Sequence, residues 1–368
     1  MQLWADARNM NIIYSFNKRG FDAKYWAREI AAASSDELTF IPFNHGIYLN
    51  PFRYIRAQLL DNLYFVEDPD LMRMYKEFEG LVEQTNADAV VVDCCNPYHP
   101  DYLRNVPIYK VLRIADGPIS AYDRDFAYAH AYDHVLYHSP GYSRDMTMVE
   151  KLRYCGVKRA DFWPLASFEA RCDPQQTEDT IMRADRDVDI VFVGALYVNK
   201  MPLIAKIKRT FRRRCQIYGR VPAKKNLYYN VKHRCPGWIR ELPADRLVPL
   251  YHRAKLGFNV HNRGKYTVGS YRFFDLPANG VMQVSDGGEY LDAFFEVGRE
   301  IESYDGADEL IAKIEYYLLH DDERRDIAVA GFRRVQKDHR MKHRMAQLAG
   351  VIQSGIAQRD CMTKAMCE

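Results

Sequence analysis

The chain has 368 residues, of which 48% are hydrophobic and 27% charged, as in an ordinary globular protein. Its formal net charge of +3 is too small to indicate a nucleic-acid partner by itself, and no apolar run reaches the roughly 18–20 residues that a membrane span needs. Because one hydrophobic core rarely serves a chain of this length, we predict two domains.

The cysteine pattern and the first residues indicate a cellular compartment. None of the eight cysteines forms a CxxC pair or a zinc-like spacing, so we expect free thiols in a reducing environment. The first residues lack the basic and then apolar pattern of a secretory signal. We therefore predict a cytoplasmic protein.

The first half of the chain alternates between apolar strands and helices. A strand at residues 11–15 precedes a glycine-bearing loop and an Ala-rich helix at about 23–33, the usual opening of a doubly wound domain. Further strands are predicted at residues 38–42, 89–92, 108–114 and 132–138. This order predicts a parallel sheet that binds ligands at the carboxyl ends of its strands.

Two aspartates directly follow strands of this half. Asp116, in the sequence Ala-Asp-Gly-Pro, comes after the strand at 108–114, and Asp93 comes after the strand at 89–92. A carboxylate at such a strand end could deprotonate an acceptor hydroxyl. Asp116 is the preferred catalytic candidate because Gly-Pro fixes its loop, and Asp93 is the second. The structural alternative for Asp116 is a cap of the following turn.

The second half repeats the same architecture. Residues 169–187 carry many charges without apolar periodicity, and we expect them to link the domains. A strand and a glycine, Val188–Gly194, restart the pattern, and a long helical stretch ends the chain. The predicted divisions are a first domain, a linker, a second domain and a returning tail, at residues 1–168, 169–187, 188–345 and 346–368.

Several residues of the second half suit a phosphate-bearing ligand. Helices that begin just after strands present free N–H groups and the positive end of the helix dipole. A helix predicted from about residue 270 begins in this way, with Arg272 in its first turn and Asp275 within reach of ribose hydroxyls. Gly194 either allows a phosphate to approach the backbone N–H groups or is needed only for a tight turn between strand and helix. The residues expected at this phosphate site are Gly194, Lys200, Arg220, Gly269, Ser270, Tyr271, Arg272 and Asp275.

The stretch from Thr267 to Asp286 resembles a known protein family. Its Arg-aromatic-aromatic-acid helix, its Ala-x-Gly-Val turn and the following Gly-Gly-x-Tyr-Leu resemble the nucleotide-sugar half of GT-B glycosyltransferases, in particular the group of the spore-maturation protein CgeB. The resemblance extends over about residues 187–350 and only loosely over the N-terminal half. It implies an α/β fold of two Rossmann-like domains that face a central cleft, with a C-terminal helix that crosses back to the first domain.

The resemblance also implies a reaction. A sugar would move from a nucleoside diphosphate donor, preferably a UDP-sugar, to an unidentified acceptor without a metal or other cofactor. The resemblance makes the residues expected at the phosphate site the donor-site residues of this reaction. Either Lys200 or Arg220 could neutralise phosphate charge, and their spacing does not choose between them. The family usually has glutamate at the position of Asp275, and the retaining group would need an acid at Thr267. Nucleotide preference and stereochemistry therefore stay open.

Two charged patterns have both a structural and a functional interpretation. We assign the Asp-x-Asp triplets to chance rather than to metal ligation; they begin at Asp68, Asp123, Asp185 and Asp187. Residues 206–225 carry many basic side chains and no acidic one. That run is either a solvated helix face or a site for an anionic acceptor such as nucleic acid, glycan, protein or phospholipid.

Two rival functions remain at this point. One keeps the fold but makes the acceptor DNA, as in a phage-type enzyme that glycosylates a hydroxylated base. The other is a non-catalytic protein that binds sugar or nucleic acid on a transferase scaffold. The Asp275 substitution and the basic run support the second rival, whereas the Arg272 helix argues against it.

Overall fold

The computed structural model divides the chain into two compact units. The first combines Met1–Pro164 with Lys342–Glu368, and the second is Leu165–Met341. We call them unit 1 and unit 2. The residues that the structure describes are 9–17, 21–50, 56–93, 95–114, 123–261 and 269–367.

Unit 1 is built around a parallel sheet. Its strands are β1 (Met10–Phe16), β2 (Leu38–Asn44), β3 (Ala89–Asp93), β4 (Tyr109–Ile114), β5 (His134–Tyr137), β6 (Gly141–Ser143), β7 (Met146–Thr147) and β8 (Ala160–Phe162). Six of them pair in parallel in the order β2-β1-β3-β4-β5-β8, while β6 and β7 form an antiparallel ribbon. Every residue of β3 is buried, as expected for a central strand of a parallel sheet.

Local capping signals mark both ends of the helix at Pro69–Thr85 in unit 1. The side chain of Asp68 accepts hydrogen bonds from its first turn, Pro69 occupies the first helical position, and Asn86 ends it with a left-handed φ of 45°. These are the residue types that begin and end helices. The helices are α1 (Phe21–Ala32), α2 (Ala57–Phe65), α3 (Pro69–Thr85), α4 (Pro100–Arg104), α5 (Asp123–Ala127) and α6 (Met148–Tyr154).

Unit 2 also contains one parallel sheet. Its strands are β9 (Val188–Val193), β10 (Cys215–Tyr218), β11 (Ala254–Asn259), β12 (Met282–Ser285) and β13 (Glu302–Ser303). They pair in the order β10-β9-β11-β12-β13, so β10 is an edge strand. Ile190, Phe192, Leu256 and Phe258 alternate along β9 and β11 into the same apolar core, which fixes the register of the two strands.

Helices complete unit 2 and join it to the end of the chain. They are α7 (Glu178–Arg183), α8 (Met201–Phe211), α9 (Ala223–His233), α10 (Leu247–Arg253), α11 (Tyr271–Ala278), α12 (Ala307–Leu319), α13 (Asp321–Asp338) and α14 (Met341–Cys367). From Lys342 onwards α14 belongs to unit 1. There the indole N–H of Trp163 donates to the Arg344 carbonyl oxygen at 2.8 Å, and the Arg344 Nε donates to the Pro164 carbonyl oxygen at 3.0 Å.

Residues 169–187, which the sequence analysis treats as a linker, lie within unit 2. They include α7, whose Ile181 is buried in the core of that unit. Among the helices that the structure describes, none combines the length and apolar character needed to cross a membrane.

Candidate functional site

A group of polar residues lies at the carboxyl edge of the sheet in unit 2. The neighbouring strands β9, β11 and β12 end there at Val193, Asn259 and Ser285. After β9 the chain enters α8, and after β11 it enters α11, so both helices point their N-termini toward this edge. The capping positions Lys200 and Ser270 make no side-chain hydrogen bond to the first turns. The edge therefore offers helix N–H groups to an anion.

Arg272 is a buried cation at this edge. Its Nε donates to the Val193 carbonyl oxygen at 3.0 Å, and its guanidinium lies 4.0 Å from the centroid of the Phe192 ring. Among the described residues its Nη1 has no hydrogen-bond partner. Any Cβ at position 194 would lie 2.5 Å from Nη2, so Gly194 leaves room for the guanidinium. A buried N–H without a partner is costly, and a bound anion would satisfy it.

Lys200 is a second buried cation of the same edge. Burial, reinforced by the charge of Arg272 and opposed by that of Asp286, lowers the pKa of the Lys200 ammonium to about 7. Its side chain is 5% exposed, and its Nζ lies 5.7 Å from the centroid of the Tyr197 ring. We call Lys200 and Arg272 the cation pair. A ligand with two negative charges would relieve the repulsion between them.

His261 and Asp286 hold the beginning of α11 in place. The backbone N–H of His261 donates to both carboxylate oxygens of Asp286 at 2.9 Å, and the imidazole Nδ1 lies 2.8 Å from Oδ1. The Gly269 N–H donates to Nε2 at 3.1 Å, so the ring proton resides on Nδ1 and is donated to Asp286. Gly269 has a φ of +96°, which suits glycine.

The next two residues, Ser270 and Tyr271, have different surroundings. The Ser270 hydroxyl donates to Asn259 Oδ1 at 3.3 Å and so stays at the sheet edge. The Tyr271 ring lies 5.2 Å from the Phe168 ring and 5.5 Å from the Arg171 guanidinium. Of the expected donor-site residues, the structure brings together Gly194, Lys200, Gly269, Ser270 and Arg272.

The comparisons with known proteins agree with this architecture. Residues 201–350 match a family model described as "Glycosyl transferase-like", whereas no curated protein matches the chain. A sucrose-phosphate synthase from Thermosynechococcus elongatus superposes with a TM-score of 0.63 at 12% identity, over 95% of this chain and 100% of that one. Anabaena HepE in complex with UDP-glucose superposes with a TM-score of 0.60 at 11% identity, over 94% of this chain and 100% of that one.

The fold is GT-B. A glycosyltransferase from Rickettsia africae also shares it, with a TM-score of 0.61 at 10% identity over 95% of this chain and 99% of that one. The predicted α/β fold class is thereby confirmed, and residues 201–350 are similar to group 1 glycosyltransferases. Identities this low show a common fold alone, so activity has to be argued from the site.

Two of the expected donor-site residues have surroundings in this GT-B fold that do not fit the predicted role. The side chain of Arg220 is 87% exposed and 4.0 Å from Glu241, so the structure places Lys200 rather than Arg220 beside Arg272. Asp275 is 1% exposed and accepts hydrogen bonds from Ser167 at 3.0 Å and Arg171 at 2.9 Å. With both of its oxygens occupied inside unit 2, Asp275 is not placed to reach a ribose as predicted.

The catalytic candidates belong to unit 1, and the structure describes one of them. Asp116 lies outside the described residues. Asp93 is buried, forms an ion pair with Arg113, and accepts a hydrogen bond from the Tyr14 hydroxyl at 3.3 Å. The Arg113 guanidinium also lies 4.7 Å from the centroid of the Trp163 ring. This geometry corrects the prediction for Asp93, whose carboxylate neutralises a buried arginine and is not exposed to an acceptor.

Several aspartates of the Asp-x-Asp triplets have protein partners of their own. Asp68 caps α3, Asp125 accepts the backbone N–H groups of Cys95 and Asn96, and two others pair with basic side chains, namely Asp187 with Arg253 and Asp189 with Lys255 and Arg214. Within the described ranges, no three or more His, Cys, Asp or Glu residues are grouped to hold a metal ion. Metal independence itself stays a prediction.

Sequence reasoning missed the His261–Asp286 pair. The two residues are distant in the sequence and meet only because β11 and β12 are neighbours in the sheet. The available signal was positional: His261 follows the end of β11 closely, and Asp286 directly follows β12. Polar residues just past adjacent parallel strands are expected to meet at one edge.

Proposed function

We propose that this protein is a metal-independent glycosyltransferase of the CgeB-like group that uses a nucleoside diphosphate sugar, preferably a UDP-sugar, as its donor. The observation that carries the proposal is the cation pair: a buried Arg272, whose Nη1 has no hydrogen-bond partner among the described residues, and beside it a buried Lys200. Two cations and a helix N-terminus supply the positive charge that a metal supplies in other transferases. The UDP-glucose complex of Anabaena HepE supports the choice of UDP.

The site suits departure of a nucleoside diphosphate from the sugar. As the acceptor oxygen bonds to the anomeric carbon, the bond from that carbon to the diphosphate oxygen breaks and leaves its electron pair on the diphosphate. Arg272 and Lys200 would stabilise the negative charge that develops there, which is the largest electrostatic contribution such a site offers. We assign donor binding to unit 2, and acceptor binding with Asp116 as base to unit 1.

Replacing Arg272 tests donor binding. Arg272→Met keeps much of the side-chain volume over Phe192 but removes a charge-assisted hydrogen bond worth about 1.5–3 kcal/mol. We expect the affinity for UDP to fall about ten- to hundredfold, as measured by titration calorimetry in the presence of EDTA. Arg220→Met is the matched control, and the exposure of Arg220 predicts an unchanged affinity.

Three results would contradict the proposal, and a fourth would favour a different acceptor. Loss of UDP binding in EDTA by the unaltered protein would disprove metal independence. An equal loss of affinity in both arginine variants would remove Arg272 from the site. UDP binding without any release of sugar from a panel of UDP-sugars, with or without candidate acceptors, would favour the non-catalytic rival. Sugar release only with hydroxylated DNA would favour the base-modifying rival.

The affinity for the donor is expected to depend on pH through Lys200. Since the pKa of Lys200 is about 7 in the free protein and a bound diphosphate favours the ammonium, the protonated form binds more tightly. Affinity for UDP-glucose should be constant well below pH 7 and weaken by up to about tenfold per pH unit above it. Calorimetry across this range measures the slope.

Lys200→Met is the control for this dependence. This variant should bind UDP-glucose more weakly than the unaltered protein at low pH. Its affinity should not change across neutral pH, because Arg272, the other member of the cation pair, stays charged there. A slope in Lys200→Met equal to that of the unaltered protein would assign the titration to another group.

A further inference from the structure

One segment of unit 2 contains many basic residues and no acidic ones. No acidic residue occurs between Asp189 and Glu241, a span that includes α8, the edge strand β10 and α9. Some of its cations have partners inside unit 2: Lys206 pairs with Asp308, and Arg209 donates to the His233 carbonyl oxygen at the end of α9. Three further lysines of this span, Lys224, Lys225 and Lys232, lie on α9.

The outward face of α9 is apolar. Asn226 and Tyr229 are the buried side of this helix, whereas Leu227 is 60% exposed and Val231 is 75% exposed. These two residues are one helical turn apart and so lie side by side. Single exposed aliphatic side chains are normal on a folded surface, whereas contiguous apolar patches mark interaction sites, and these two residues form the beginning of such a patch.

An exposed aromatic side chain lies on the segment that is bonded to α9. Asn226 holds the following segment against α9, because its Nδ2 donates to the Ile239 carbonyl oxygen at 3.0 Å and its Oδ1 accepts the Ile239 N–H at 2.9 Å. Trp238 is therefore fixed next to the helix, and it is 55% exposed. We call Leu227, Tyr228, Val231 and Trp238 the α9 patch.

Lysines surround the α9 patch. Lys224, Lys225 and Lys232 are exposed on the same helix, and within the described part of the chain none of them forms an ion pair. Lys232 Nζ donates to the Tyr228 hydroxyl at 2.6 Å. Lysine stems can lie along an apolar surface while the ammonium reaches outward. The patch thus combines apolar side chains that can enter an acyl layer with cations at headgroup level.

We propose that the α9 patch docks unit 2 on an anionic phospholipid surface. The lysines of α9 favour an anionic partner because their charge is complementary to it. The exposed aliphatic side chains of Leu227 and Val231 favour a lipid surface over a nucleic acid. Single-stranded nucleic acid is held by aromatic stacking, to which these aliphatic side chains contribute nothing, whereas a bilayer buries them and places Trp238 at its interface. The inference does not rest on the proposed activity, because binding to vesicles is measured without a donor or an acceptor.

Co-sedimentation of the full chain with vesicles tests the docking. We expect binding to vesicles of phosphatidylcholine with phosphatidylglycerol, weak binding to phosphatidylcholine alone, and release by salt. Replacing Lys224, Lys225 and Lys232 by Glu should lower partitioning at least about tenfold. Leu227→Ser with Val231→Ser should lower it as well, which a purely electrostatic attraction does not predict.

A matched variant controls for net charge. Lys24, Arg28 and Lys76 are exposed on α1 and α3 of unit 1, and their replacement by Glu changes the net charge by the same amount without touching α9. Circular dichroism checks that all variants are folded. The proposal is overturned if the unaltered protein ignores anionic vesicles at low salt, if the control loses as much binding as the α9 variant, or if the serine variant binds normally. Tighter binding of an oligonucleotide, lost in the α9 lysine variant, would assign the patch to nucleic acid instead.

Discussion

Replacing Asp93 by alanine is expected to cost unit 1 about 3–5 kcal/mol of folding free energy, because it removes the carboxylate with which the buried guanidinium of Arg113 forms an ion pair. Both side chains are almost fully buried, with exposed fractions of 2% and 1%. The same variant removes the hydrogen bond that the Tyr14 hydroxyl donates to Asp93. Urea unfolding of the full chain, followed by circular dichroism and tryptophan fluorescence, measures the loss.

A double variant separates the ion pair from simple loss of packing. Asp93→Leu with Arg113→Met replaces both charges by apolar groups of similar size, a change that is often nearly neutral for buried pairs. Most of the lost stability should therefore return. If Asp93→Ala instead unfolds like the unaltered protein but no longer releases sugar from a donor, Asp93 is a catalytic base after all.

The sheets could be predicted from the sequence because buried parallel strands read as continuous apolar runs. The runs at residues 89–92 and 108–114 became β3 and β4, and Val188–Gly194 became β9 with its following turn. Helix α9 could not be predicted in this way. It buries only Asn226 and Tyr229 and turns Leu227 and Val231 outward, so its apolar periodicity does not mark the face that packs.

The candidate site was predictable only in part, because strand ends locate an edge but not its partners. Gly194 directly follows β9, and Arg272 lies in the first turn of α11. Their meeting at one edge of the sheet therefore follows from the order of strands and helices. The choice of Lys200 over Arg220 depends on burial that spacing does not show. Asp275 resembled a ligand residue because it lies one turn after Arg272, yet Ser167 and Arg171 from a distant part of the chain occupy its oxygens.

Asp116→Asn is expected to lower turnover by about 10²–10⁴-fold if Asp116 removes the acceptor proton, because asparagine keeps the size of the side chain but not its basicity. The affinity for UDP should stay unchanged, because UDP binding is assigned to unit 2 and the loss falls on kcat. Donor hydrolysis and sugar transfer are measured together, since water serves as acceptor when the natural one is absent. Asp145→Asn, at an exposed position of unit 1, is the matched control and should keep full activity.

A different result for Asp116→Asn would assign Asp116 a structural role. A lower melting temperature with unchanged activity per folded molecule would make Asp116 a structural cap of its loop. The catalytic role would not pass to Asp93, because that carboxylate is buried against Arg113. No base would then remain among the predicted residues, and a reaction that proceeds without a side-chain base favours retention of configuration at the anomeric carbon. The anomeric configuration of the product, read by nuclear magnetic resonance, would decide between the two.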